Sequence, residues 1–177
     1  KALAPVNGKS LLELNIRNLQ QFGIYDIVLN VHHFADQIVD TLKANDGFGS
    51  RYQISDETSA VLETGGGIKH AIPLFENATD MLICNADILS SIDLDELISY
   101  HKYHGSSATL AVQDRASSRK LLFDQHNYLK GWINTTTHET KPTTIDATAY
   151  EAKAFSGIQI LNEQFYNNIQ LDGKFSI

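Results

Sequence analysis

The hydrophobic positions of the chain follow two periodicities, which alternate along most of its length. Apolar residues recur every three or four positions, as in amphipathic helices, in segments 11–22, 34–46, 94–104 and 162–170. Short and nearly continuous apolar runs, typical of buried strands, occupy segments 24–32, 51–57, 80–87, 107–114 and 154–161. The pattern therefore predicts alternating helices and strands.

Polar residues mark the ends of these helices. The pairs Ser10–Glu13 and Asp93–Glu96 have the spacing of a capping box, which predicts a helix beginning at each. Gly23 and Gly105 are placed to end the same two helices. In segment 34–46 the spacing predicts one buried helix face, which contains Phe34, Ile38, Val39 and Leu42.

The order of the elements predicts the fold class. Strands separated by helices of this length indicate right-handed crossovers and a mostly parallel sheet. Segment 120–133 has the pattern of a hairpin that turns at 125–127, so one part of the sheet is expected to be antiparallel. The sequence thus predicts an α/β fold with a mixed, mostly parallel central sheet, in a single domain covering residues 1–177.

Composition and charge narrow the possible functions. The formal net charge of −7 argues against a broad basic surface for nucleic acid, but it leaves room for a local site that binds a small anion. No apolar run approaches the roughly 20 residues that span a bilayer, and no signal-peptide core is visible. The single cysteine, Cys84, lies in an apolar run and is expected to be a buried, inert thiol. We therefore expect a cytoplasmic protein with no membrane partner.

Candidate ligand-binding residues follow three predicted strands, where ligands of α/β sheets bind. Glu63–Gly67 follow the strand at 51–57, Asn85–Asp87 end the strand at 80–87, and Gly157 interrupts the strand at 154–161. At a strand end the Asp87 carboxylate would be held rigidly enough to bind Mg²⁺. The alternative is that Asp87 only caps the turn that follows.

The three consecutive glycines at 65–67 also allow two interpretations. They permit a ligand to approach exposed amides before a short helix at 68–75, or they form a tight turn. The run matches neither a P-loop nor a G-x-G-x-x-G motif. The histidines do not predict a metal site: His32 and His33 are adjacent and should diverge, while His101 and His104 are expected on a solvated helix face.

Together these segments resemble the sugar-phosphate nucleotidyltransferases, in particular the bacterial branch that contains N-acetylmuramate-1-phosphate uridylyltransferases and mannose-1-phosphate guanylyltransferases. The first segment, KALAPVNGKSLLELNIRNLQQFGI, is similar to the family's Pro-Lys-x-Leu-x-Pro-Val stretch and first long helix. LETGGGI resembles its base-binding loop, CNADIL its metal-aspartate segment, and AFSGIQIL the strand that lines its sugar pocket.

The resemblance implies a Rossmann-like, three-layer α/β/α nucleotide-diphospho-sugar transferase fold. It also implies transfer of a nucleotidyl group from a nucleoside triphosphate to a sugar 1-phosphate, with Mg²⁺ as cofactor. Lys1 and Asp87 correspond to the catalytic residues, and Asp87 also to the metal ligand. The residues that correspond to substrate-binding positions are Glu63, Thr64, Gly65, Gly66, Asn85 and Gly157.

Two other functions stay open on the sequence. One is a catalytically inactive domain that binds nucleotide sugars in a regulatory role. The other is an unrelated Rossmann-like oxidoreductase, which the missing G-x-G-x-x-G motif disfavours. The family's glycine-rich signature is expected before Lys1 and a second metal aspartate after the last helix, so the chain is expected to lack the domain's N-terminal strand, glycine-rich loop and C-terminal end.

Overall fold

A computed structural model describes residues 1–75 and 78–176. The helices in this part of the chain are α1 (Leu11–Gln21), α2 (Ala35–Ala44), α3 (Glu63–Ala71), α4 (Leu94–His104) and α5 (Glu163–Asn167). The strands are β1 (Pro5–Val6), β2 (Lys9–Ser10), β3 (Asp26–Val31), β4 (Arg51–Asp56), β5 (Asp80–Cys84), β6 (Ala108–Gln113), β7 (Arg119–Phe123), β8 (Leu129–Asn134), β9 (Thr140–Lys141) and β10 (Glu151–Asn162). No helix among the described residues has both the length and the apolar character needed to cross a bilayer.

The chain folds into two compact units. The first contains residues 1–108 and those from 160 onward, and the second contains residues 109–159. In the first unit β3 and β4 pair in parallel over their whole length, from Asp26 opposite Arg51 to Val31 opposite Asp56. In the second unit β7 pairs antiparallel with both β8 and β10, and β8 with β9. Parallel and antiparallel strands therefore both occur, as the sequence predicted.

The predicted helix ends are confirmed. Ser10 Oγ accepts a hydrogen bond from the Glu13 amide at 3.1 Å, and Asp93 Oδ1 accepts one from the Glu96 amide at 3.0 Å. Each bond satisfies one of the amides that a helix leaves unpaired at its N-terminus. Gly105 ends α4 with φ 58°, a left-handed conformation that glycine adopts without steric cost.

Two apolar clusters form the core of the first unit. Leu12 and Ile16 of α1 pack with Leu42 of α2 against the β3–β4 pair. Ile68 of α3, Met81 of β5, Leu161 and Tyr166 form the other cluster. This second cluster places α3 against β5, so the glycine run and the strand that leads to Asp87 belong to one packed unit.

The second unit contains the predicted hairpin. The carboxylate of Asp124 accepts hydrogen bonds from the amides of His126 and Tyr128, both at 2.9 Å, and so fixes the turn between β7 and β8. The bond from Tyr128 is the main reason that the pKa of the Asp124 carboxyl lies below its usual value. Leu122 of β7 and Ala154 of β10 are both fully buried.

Three predictions about the placement of side chains are wrong, two on exposure and one on direction. Phe34 is 71% exposed because it precedes α2 in a left-handed conformation (φ 59°), and its side chain does not share the helix's buried face. His101 is only 3% exposed and lies 3.4 Å from Asp80, so α4 does not present it to solvent. His32 and His33 do not diverge: β3 ends at Val31, and their rings lie 4.4 Å apart.

Candidate functional site

The glycine run lies inside a helix. We predicted a loop at 63–67 followed by a helix at 68–75, but α3 begins at Glu63 and includes all three glycines. The chain makes its sharp turn one step earlier, since Glu63 itself has a left-handed conformation with φ 61°. Gly66 and Gly67 do not have positive φ, so the interpretation of the run as a glycine-dependent turn is wrong.

Close packing against the chain itself explains two of the three glycines. A β-carbon on Gly66 would lie 2.2 Å from the carbonyl oxygen of Gly173. One on Gly67 would lie 2.5 Å from both Asn30 Nδ2 and Glu57 Oε1. Because a carbon and an oxygen in van der Waals contact need more than 3 Å, neither position accommodates a larger residue without movement of its neighbours.

The amides of the run bind another part of the chain. The amides of Gly65 and Gly66 both donate to the carbonyl oxygen of Phe175, at 3.0 and 3.1 Å, and the Phe175 amide donates to the Leu62 carbonyl at 3.1 Å. We expected the two glycine amides to be available for a nucleobase, and they are used inside the protein instead. Contact of residues 63–66 with a substrate stays a prediction. Other groups of these residues would have to make that contact, because the two amides are already bonded to Phe175.

The side chains at the start of α3 reach the same C-terminal residues. The carboxylate of Glu63 lies 3.4 Å from the ammonium group of Lys174, and Thr64 Oγ1 lies 3.2 Å from Ser176 Oγ. Both Glu63 and Thr64 are exposed. Within segment 63–67, Glu63 and Thr64 are therefore the residues whose side chains a dissolved ligand can reach.

Sequence reasoning missed Glu57, which supports the turn into α3. Its carboxylate is buried, with 7% of the residue exposed, and Oε2 accepts a hydrogen bond from the Leu62 amide at 3.2 Å. A signal was present, because Glu57 is the last residue of the predicted strand 51–57, just as Asp87 is the last residue of the predicted strand 80–87. The acid was overlooked because it precedes the glycine run rather than belonging to it.

Asp87 lies in a turn and not at the end of a strand. The strand β5 ends at Cys84, so Asn85, Ala86 and Asp87 are exposed residues beyond it, and the rigid strand-end position that we predicted is wrong. A side chain from α1 holds the turn in place: Asn15 Nδ2 donates to the Ala86 carbonyl at 3.2 Å. The hydrogen bond from α1, and not the strand, therefore positions the turn that carries Asp87.

The two predicted catalytic residues lie side by side. Lys1 Nζ is 3.5 Å from Asp87 Oδ2, with 86% and 41% of their side chains exposed. In the described part of the chain no group of three or more His, Cys, Asp or Glu side chains could hold a metal ion. A metal at Asp87 would thus need most of its ligands from water or substrate, which is the usual coordination of Mg²⁺ with phosphates.

Gly157, the predicted residue of the sugar pocket, belongs to the second unit and has φ 76° within β10. This backbone conformation alone favours glycine, so contact of Gly157 with a sugar stays a prediction. Next to the Asp87 turn, burial raises the pKa of the Cys84 thiol to about 11. Since a thiol with this pKa stays protonated at neutral pH, Cys84 is not an active nucleophile.

Comparison with known proteins identifies the family. The sequence model of the family described as Nucleotidyl transferase matches residues 1–121, more than half of the chain. The chain belongs to this nucleotidyl transferase family. The predicted resemblance to sugar-phosphate nucleotidyltransferases is thereby confirmed, and members of the family generally use divalent metal ions.

The N-acetylmuramate alpha-1-phosphate uridylyltransferase of Caulobacter vibrioides is 45% identical to this nucleotidyl transferase chain over 76 residues, which are 42% of the chain and 31% of the relative. The enzyme of the same name from Neisseria meningitidis is 37% identical over 93 residues, 52% of the chain and 40% of the relative. The chain thus spans less than half the length of these relatives.

A solved structure with the same fold is HddC from Yersinia pseudotuberculosis, determined alone and complexed with GMP-PN. Both crystal structures superpose on the chain with a TM-score of 0.78 and 20% sequence identity, covering 99% of the chain and 72% of HddC. At this identity the likeness is one of fold. The α/β nucleotide-diphospho-sugar transferase fold predicted from the sequence is therefore confirmed.

Proposed function

We propose that the whole protein transfers a nucleotidyl group from a nucleoside triphosphate to a sugar 1-phosphate, giving a nucleotide sugar and pyrophosphate. The observation that carries this proposal is the approach of Lys1 Nζ to within 3.5 Å of Asp87 Oδ2 on an exposed surface. A triphosphate with its metal requires a cation beside a carboxylate that can hold the metal. Membership of the nucleotidyl transferase family and the names of the two bacterial relatives support the same reaction.

In this reaction a phosphate oxygen of the sugar 1-phosphate attacks the α-phosphorus of the triphosphate. The bond from the α-phosphorus to the oxygen that bridges it to the β-phosphorus breaks, and pyrophosphate leaves with the electron pair. The attacking phosphate is already an anion at neutral pH, so no side chain has to remove a proton. The protein therefore contributes alignment and neutralisation of charge.

Lys1 and Asp87 divide this work. Lys1, with its exposed ammonium group, neutralises negative charge on the triphosphate as it binds. Asp87 would hold Mg²⁺, which when bound would neutralise charge on the phosphate oxygens. The exposed carboxylate suits this ion because Mg²⁺ usually keeps several waters and takes only one or two carboxylates from a protein.

The remaining predicted residues are assigned to substrate binding. Glu63 and Thr64 contact the nucleotide through their side chains, Gly65 and Gly66 shape the turn that presents them, and Asn85 contacts the ribose or orients Asp87. Gly157 lets the sugar approach β10. We further propose that the protein works in the cytoplasm, where its triphosphate substrate is made, and supplies a nucleotide sugar for the cell envelope.

The test is pyrophosphate release by the full-length protein. The panel combines UTP, GTP, dTTP and CTP with a set of sugar 1-phosphates that includes N-acetylmuramate 1-phosphate, in the presence of Mg²⁺. Release with one pair, lost on adding EDTA and restored by excess Mg²⁺, is the expected result. If no pair gives release, the enzymatic proposal fails, and calorimetric titration with nucleotide sugars then tests a purely binding role.

A further inference from the structure

The residues at 171–176, called segment 171–176 below, lie along the first turn of α3. Main-chain bonds connect the two: Phe175 accepts from the Gly65 and Gly66 amides and donates to the Leu62 carbonyl. This arrangement satisfies amides that a helix leaves unpaired at its N-terminus, using the chain's own carbonyl in place of a ligand. Segment 171–176 therefore caps the N-terminus of α3, as a capping side chain would.

The backbones of segment 171–176 and α3 also approach each other closely at two glycines. The carbonyl oxygen of Gly173 occupies the space that a β-carbon on Gly66 would need, at 2.2 Å from its ideal position. Gly173 itself has φ 71°, which favours glycine on the facing side. Two glycines thus allow backbone to approach backbone, a contact that side-chain rotation cannot relieve.

Lys69 fastens the beginning of segment 171–176. Its ammonium nitrogen donates to the Leu171 carbonyl at 2.9 Å and to Asp172 Oδ1 at 2.7 Å. The Lys69 side chain is 32% exposed, whereas that of Asp172 is 87% exposed, so the lysine is the more deeply placed partner. Lys69 therefore connects the second turn of α3 with residues that lie far along the sequence.

We infer that segment 171–176 is a positioning element of the nucleotide site, and that Lys69 is the positioning residue that anchors it. By fixing the first turn of α3, the segment fixes the backbone that carries Glu63 and Thr64, whose exposed side chains are proposed above to contact the nucleotide. The connection to the nucleotide depends on the proposed function. The connection between the segment and α3 does not.

The first test replaces Lys69 in the full-length protein. Lys69→Met keeps the aliphatic stem and removes the ammonium group, Lys69→Arg retains a donor, and Lys102→Met removes an exposed lysine of α4 as a control. We expect faster amide hydrogen exchange at 62–67 and 171–176 in Lys69→Met alone. We also expect its KM for the nucleoside triphosphate to rise about fivefold with kcat changed less, and Lys69→Arg to restore the wild-type KM.

Unchanged exchange in Lys69→Met overturns the inference, and so does faster exchange with an unchanged KM. If the wild-type protein releases no pyrophosphate, the proposed function fails, and exchange still decides whether segment 171–176 fixes α3. One further variant tests the contact at the glycines. Gly66→Ala places a β-carbon against the Gly173 carbonyl and should release segment 171–176, with faster exchange there than in the wild type and in Lys102→Met; unchanged exchange in Gly66→Ala contradicts the inference.

Discussion

Lys1 Nζ lies 3.5 Å from Asp87 Oδ2, although the two residues stand at opposite ends of the first 87 positions of the chain. Both side chains are exposed, and pairs of this kind contribute little to stability because water and salt screen them. The fold nevertheless brings this cation and this anion to one place. In the function proposed above, this place is where the triphosphate and its metal would bind.

Asp87→Asn should therefore remove activity and leave the fold intact. We expect kcat/KM for nucleotidyl transfer to fall by about 100-fold or more, because the variant loses the negative charge that is proposed above to hold the metal. The melting temperature should change little, since Asp87 is exposed. Asp95→Asn, at an exposed position of α4, is the matched control and should keep wild-type kcat/KM. An unaffected rate in Asp87→Asn would place the metal elsewhere.

Lys1→Met and Asp87→Asn should have non-additive effects on catalysis. If both residues act on one bound triphosphate, the double variant should lose much less kcat/KM than the product of the two single losses. The measurement is a double-mutant cycle on the full-length protein, with pyrophosphate release as the readout. Two losses that multiply would mean that the residues act independently, in spite of their 3.5 Å separation.

Glu57→Ala should destabilise the protein because Glu57 accepts a hydrogen bond from the Leu62 amide in a buried place. The expected cost is about 1 kcal/mol in the free energy of unfolding, since the variant leaves the partly buried Leu62 amide without its acceptor. Glu57→Gln is the control: it retains an oxygen acceptor, and its cost should be clearly smaller. Urea unfolding followed by circular dichroism measures both, and equal costs would show that hydrogen bonding to Leu62 is not what matters.

Alkylation of Cys84 should report its raised pKa. With a pKa of about 11 in the folded protein, only about one thiol in a thousand is ionised at pH 8. The iodoacetamide rate should rise tenfold per pH unit toward pH 11, whereas in urea it should level off near the ordinary thiol pKa of 9.0. A plateau at the same pH in both states would contradict the predicted effect of burial.

The same shift has a consequence for stability. Below pH 9.0 the thiol is protonated in both the folded and the unfolded chain, and it does not affect the balance between them. Between pH 9.0 and about 11 it ionises only when the protein unfolds, which favours the unfolded state. The free energy of unfolding should therefore fall as pH rises through this interval. Cys84→Ser, measured beside the wild type, should show a smaller decline.

Local features of the fold could be predicted because their causes lie within a few residues of each other. The caps at Ser10 and Asp93 and the hairpin turn at Asp124 are hydrogen bonds that a short stretch makes with itself. Exposure was harder to predict. His101 occupies a polar-looking position on α4, but it is buried beside Asp80, which another element of the fold supplies.

The sequence by itself determined the α/β class, the sugar-phosphate nucleotidyltransferase family and the candidate residues Lys1 and Asp87, because apolar spacing and short motifs are written in side chains. Tertiary structure alone decided that Lys1 meets Asp87, that Asn15 holds the Asp87 turn, and that Phe175 occupies the amides of Gly65 and Gly66. The physical reason is that the last of these contacts joins backbone to backbone. Every residue except proline offers the same amide and carbonyl, so such a contact leaves almost no trace in the sequence.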